Sequence, residues 1–274
     1  MPANRGPADR GPANREPAPR PPAVTLDEAA KLTRTGDVWL FRGRKPADRA
    51  IQVATNSPVN HVGMAVVLED LPPLLWHAEL GRSLPDLWSG TRHRGVQLHD
   101  LRAAVTVWAE RYGQRAWVRQ LNPSAAPDME DAVLRTIARL DGLPFPSTAS
   151  LATSWLRGRV PSPGQLPALA RLASAGSLRR LSRPAAEAVL ETAYCAEVLA
   201  ATYQAMGLLD GRHRTSWYDA GRFWSGDDLR LAHGYQLGGE IAVTGPAAVS
   251  GPTRHPAGRA IRRAVPRPRR PAAD

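Results

Sequence analysis

The order of strand-like and helix-like segments predicts an α+β fold, an antiparallel sheet or small barrel packed on helices. Three observations carry it. Two apolar runs at 60–68 and 74–80 flank Glu69-Asp-Leu-Pro-Pro73, whose residues stop pairing, so the pair reads as a hairpin. Residues 128–140 repeat apolar side chains at Met129, Val133, Ile137 and Leu140, the spacing of one helix face, and Gly142 ends them. Residues 192–209 form another helical run around Cys195, the single cysteine, far downstream of His61 in the first hairpin strand.

The remaining elements follow in order. Residues 26–35 have helical spacing, and Gly36-Asp-Val-Trp-Leu-Phe-Arg-Gly43 reads as a strand ended by glycine. A short helix is expected at 47–56. Residues 95–101 and 104–110 read as extended pieces, and 115–121 as an alternating strand. Six prolines break the pattern across 143–186, where helix-like pieces at 148–156 and 166–181 suggest a helical insert with an arginine face. Residues 226–231 and 235–243 read as closing strands.

The chain has 274 residues, but both ends are unlike folded protein. Residues 1–24 are a Pro/Ala/Arg near-repeat, and 250–274 carry seven arginines among prolines and alanines; neither can bury enough surface to offset its ordering entropy. The domain expected between them is 25–249, with the insert at about 143–186. The net charge of +11 suggests a polyanion partner until it is mapped along the chain. The tails hold +2 and +6 and residues 157–183 another +6, so the rest is −3. Contact with a polyanion or a membrane surface is therefore expected only through the Arg-rich tail and insert, with no dedicated nucleic-acid motif. No secretion signal and no membrane-length apolar run is present, which suggests the cytoplasm.

The chemistry is read from the cysteine and histidines. One cysteine cannot form an internal disulfide, and His61 opening a strand upstream of Cys195 points to a thiol hydrolase. With Thr192 as N-cap, Cys195 would be the third residue of its helix, where first-turn amides favour a thiolate. If instead the helix is continuous from 185, Cys195 is mid-helix and the effect is lost. A hairpin turn near residues 70 and 71 pairs positions summing to about 140 or 141, which sets His61 opposite Glu79 or Leu80. Glu79 is the nearest acceptor for the His61 imidazole and His77, on the same strand face, the second choice. Asp37 reads as a residue fixing a turn, and Glu197 as one at the surface. No cofactor is expected: no His-x-x-x-His pair accompanies the lone thiol, so no zinc site is read, and no Gly-x-x-x-x-Gly-Lys-Ser/Thr loop occurs.

Gly36-Asp-Val-Trp-Leu-Phe-Arg-Gly, Ala50-Ile-Gln, Ser57 and Asn60-His-Val-Gly-Met-Ala-Val-Val resemble the start of the circularly permuted papain-like amidases, the YiiX/YaeF-like branch of the NlpC superfamily. Tyr194-Cys-Ala-Glu-Val-Leu-Ala-Ala-Thr-Tyr resembles its nucleophile helix and Trp217-Tyr-Asp-Ala-Gly-Arg-Phe-Trp-Ser the segment that follows; Gly95-Val-Gln-Leu-His-Asp-Leu and Gly142-Leu-Pro-Phe fall where similar patterns would. The resemblance covers roughly 34–245, outside the insert. It implies a permuted papain-like fold with Cys195 as nucleophile, His61 as base and Glu79 orienting the imidazole. The thiolate would attack an amide or ester of a small peptide, N-acyl or lipid-type substrate, the Cys195 amide holding the oxyanion. Tyr194 and His77 are further candidates for oxyanion or substrate contact. Ala196 departs from the serine often found after the cysteine. The competing readings are a thiol acyltransferase acting on lipid and a non-catalytic scaffold whose arginine tails bind a polyanion.

Overall fold

The computed structural model describes residues 23–44, 49, 52, 56–79, 81–144, 183–226 and 229–245, with the backbone alone for 183–193. The expected tails, the helix at 47–56 and the insert pieces at 148–156 and 166–181 lie outside the described residues, wholly or nearly so. The fold is mixed α and β around a mostly antiparallel sheet. Its strands are β1 (Ala23–Thr25), β2 (Val38–Arg42), β3 (His61–Val66), β4 (Leu74–Glu79), β5 (Gly95–Asp100), β6 (Arg115–Arg119) and β9 (Ile241–Thr244), in the order β1-β9-β6-β2-β3-β4-β5. Every neighbouring pair is antiparallel except β1 with β9. A separate two-stranded ribbon joins β7 (Leu121–Asn122) to β8 (Gln236–Leu237).

The four described α-helices are α1 (Leu26–Leu32), α2 (Leu101–Tyr112), α3 (Pro127–Leu140) and α4 (Arg183–Ala205). They cover the sheet on both faces, because the strands are buried on both. Val38, Leu40, Val62, Met64, Trp76 and Ala78 pack with α3 and α4. The alternate residues Trp39, Phe41, Ala65 and Leu75 pack with α1 and α2. This two-sided burial follows from the period-two alternation of side chains along each strand.

Residues 104–110, expected to be extended, are helical within α2. Asp100 caps the start, its carboxylate accepting from the Ala103 amide at 2.8 Å, and Gly113 ends the helix in a left-handed conformation. Leu101, Ala104, Val105 and Trp108 then form one buried helical face. The short apolar run alone did not separate strand from helix. The strand expected at 226–231 is irregular where described, and 235–243 divides into β8 and β9. No described helix is long and apolar enough to cross a membrane.

Asp37 ties three parts of the sheet together. Its buried carboxylate accepts from the Leu121 amide at 2.8 Å and the Arg34 amide at 2.9 Å, and its carbonyl accepts from Ala65 N–H at 2.8 Å. Asp37→Ala keeps the carbonyl bond but strands both amides, at a cost of about 2 kcal/mol in chemical denaturation. Asp37→Asn, able to accept only one of them through its single carbonyl oxygen, should fall between.

Candidate active site

The α1/α2 face of the sheet carries a row of buried histidines. His61 begins β3, and His77 and Glu79 share one face of β4. On β5, Gln97 pairs with His77, Gly95 with Glu79, and His99 with Leu75. The β3–β4 pairs, Met64 with Trp76 and Val66 with Leu74, have one of the two registers that the hairpin spacing allows. Gly63 makes the row fit: a β-carbon there would come within 2.9 Å of Leu75 and 3.1 Å of the His77 β-carbon.

His61 Nε2 lies 3.1 Å from His77 Nδ1, His77 Nε2 3.0 Å from His99 Nδ1, and His99 Nε2 3.2 Å from Gln97 Oε1. The Gln97 amide group donates toward the Gly95 carbonyl at 3.5 Å, which turns its oxygen toward His99. His99 must then donate from Nε2, and neutral rings donating in one direction complete the row: His77 to His99, and His61 to His77. Burial lowers the basicity of all three, His61 to about 3 and His99 to about 4, with His77 well below its ordinary 6.5. Trp108 of α2 clamps the row, its ring edge-on to His61 and His77 at centroid distances of 5.0 Å.

Glu79 is pushed the other way. Burial raises its carboxyl from 4.5 to about 7, opposed by hydrogen bonds from Ser83. Ser83 Oγ donates to Glu79 Oε2 at 3.0 Å and accepts from Trp108 Nε1 at 3.3 Å. His61 and Glu79 are each 5% exposed, while His77 and His99 are fully enclosed, so the first two form the rim and the others the floor. The partner of the His61 ring is therefore His77, the second choice in the sequence reading, and Glu79 is held by Ser83.

Cys195 and Tyr194 lie elsewhere. The α4 helix runs unbroken from Arg183 to Ala205, so Cys195 is mid-helix, Thr192 is not its N-cap, and no first-turn amides favour a thiolate there. The Cys195 side chain is enclosed among α3, α4 and the Val62/Met64/Ala78 side of the strands. The His61 ring points to the opposite side, against Phe41, His77 and Trp108. The thiol is thus packed in the core on one side of the sheet and the imidazole ring against residues of the other. Tyr194 shares the Cys195 layer, where burial raises its hydroxyl to about 12. Glu197 is half-buried and accepts from Thr215 Oγ1 at 3.2 Å.

The sequence reading missed His99 and the possibility of joint ligation. Nitrogen or oxygen atoms of His77, Glu79 and His99 all lie within 4.8 Å of one another, close enough to surround one ion. A helical His-x-x-x-His search does not see this set, because its members come from adjacent strands. The alternating His77-x-Glu79 and Gln97-x-His99 of two apolar strands were the available signal.

No protein-family model matches the chain, and no curated protein does. Among solved structures it is similar to the crystal structure of metalloprotein YiiX from Escherichia coli O157:H7, a DUF1105 protein, with 20% identity and a TM-score of 0.37. The match covers 63% of this chain and 65% of that one, so it spans just under two thirds of the YiiX chain.

Proposed function

We propose that the chain is a hydrolase of amide or ester bonds whose working centre is the His61–His77–His99 row with Glu79 beside it. The observation that supports this most is the placing of one carboxyl that exchanges its proton near pH 7 next to three imidazoles held neutral. Neighbouring groups pushed in opposite directions mark acid–base centres, and a group that titrates near the working pH is the effective one. Glu79 takes a proton from water as the water oxygen bonds to the carbonyl carbon. It returns that proton to the leaving nitrogen or oxygen as the old bond breaks. His61, at the rim, offers a neutral ring edge for orienting substrate.

The substrate class, a small peptide, N-acyl or lipid-linked amide or ester, and the permuted papain-like arrangement both come from the motif order of the resemblance. They belong to this proposal. A thiol route through Cys195 would require its helix and layer to open. Hydrolysis of a panel of p-nitrophenyl esters and N-acyl amides by wild type, Glu79→Gln and Cys195→Ala tests the assignment. Glu79→Gln should lower kcat/KM at least about 100-fold and abolish the limb of the pH profile near 7, while Cys195→Ala stays within about threefold. An equal loss in Cys195→Ala would return the nucleophile role to the thiol.

A further inference from the structure

We propose that His77, His99 and Glu79 bind one divalent transition-metal ion, of which zinc is the best match. Two imidazole nitrogens and a carboxylate oxygen are a ligand set that zinc accepts while leaving a fourth position for water. The 3.0 Å between His77 Nε2 and His99 Nδ1 suits two ligands of one ion as well as it suits a hydrogen bond. Nitrogens about 2.1 Å from a shared ion, at angles between square and tetrahedral, lie roughly 3.0 to 3.4 Å apart. A Glu79 carboxylate oxygen lies within 4.8 Å of the histidine nitrogens and closes in when an ion binds, since two ligands about 2.1 Å from one ion are at most about 4.2 Å apart.

The surroundings of the three ligands are those of a built site. Metal-bound histidines commonly donate their second N–H to a fixed acceptor. Here His99 Nε2 meets the Gln97 carbonyl oxygen at 3.2 Å, and His77 Nδ1 meets His61 Nε2 at 3.1 Å. Glu79 is steadied by Ser83. Binding keeps the contacts of the two histidines and moves only their hydrogens: His77 shifts its proton from Nε2 to Nδ1 and donates to His61, whose own proton moves to Nδ1. The ion thus reverses the direction of the row and turns the outer nitrogen of His61 from acceptor to donor.

The consequence for catalysis rests on the hydrolase reading: in the loaded protein Glu79 is a ligand, and the water it would activate becomes the fourth ligand. Binding itself does not depend on turnover. The full chain is treated with a chelator, loaded with zinc or cobalt, passed over a desalting column and assayed by elemental analysis and, for cobalt, visible absorption. Wild type should retain one equivalent with the intense absorption of a four-coordinate site. His99→Gln and Glu79→Gln, folded by circular dichroism, should retain less than about a tenth of it. His61→Gln should still bind, about 10- to 100-fold more weakly.

No retained metal in wild type, or equal retention in both ligand variants, overturns the proposal; two ligand variants guard against one failing to fold. Zinc held without any hydrolysis would sink the hydrolase reading and leave the metal site standing. Hydrolysis by a chelator-treated chain that takes up no zinc would do the reverse.

Discussion

Glu79→Gln should make the metal-free protein lose stability faster in mild acid than wild type, by about 3 kcal/mol more between pH 8 and pH 4. The folded state leaves His99 unprotonated down to about pH 4 and His61 to about pH 3, with His77 well below its ordinary value. The unfolded chain protonates all three near 6.5, so their contribution is full above that pH and is lost as pH falls. Each histidine withholds about 1.4 kcal/mol per pH unit between 6.5 and its own folded-state value. Two buried carboxyls act in the opposite sense. Glu79, raised to about 7, and Asp37, raised to about 6, gain protons in the folded state first. Over the same range they offset part of the histidine loss, Glu79 by about 3 kcal/mol, and the half-buried Glu197, also raised by burial, acts in the same sense.

The same accounting separates the contributions. Glu79→Gln removes one of the opposing groups, which accounts for the difference of about 3 kcal/mol from wild type over this interval, measured by urea denaturation with a chelator present. A wild-type stability that rises between pH 8 and pH 4, with only the raised carboxyls acting, would mean that the histidines titrate normally and are not enclosed.

Trp108→Ala should cost about 3 to 5 kcal/mol at pH 7.5. Trp108 is almost fully buried and touches Phe41 edge-on at 4.8 Å, as well as His61 and His77. Truncation opens a cavity directly above the imidazole row and removes the hydrogen bond to Ser83 that helps to fix Glu79. Trp108→Phe keeps most of the packing and should recover more than half of the loss. A cost below 1 kcal/mol for the alanine variant would show that the ring does not clamp the row.

The hairpin was legible because a proline-bearing turn separates two apolar runs, and its register was narrowed to two neighbouring pairings, of which the one that sets Met64 beside Trp76 is formed. The face shared by His77 and Glu79 follows from the same alternation. What the sequence did not disclose was which side of the sheet each chemical group would meet. His61 and Val62 are neighbours in the chain but face opposite layers, and the position of α4 placed Cys195 with Val62 rather than His61. His99 was invisible as a partner because its strand pairing with β4 is long-range. The helical character of 104–110 depends on its caps, Asp100 and Gly113, more than on its apolar pattern.

The position of β9 between β1 and β6 bears on how the polypeptide can assemble. Ala23 pairs with Ala242, so the first described strand has no partner until nearly the last described residues have been synthesised. During translation β1 must wait as an unpaired edge while the hairpin of β3 and β4 closes locally. Completion of the sheet joins residues far apart in the chain, the kind of pairing that raises contact order and slows folding. A chain cut before Ile241 would expose both β1 and β6 as open edges and invite strand-to-strand aggregation.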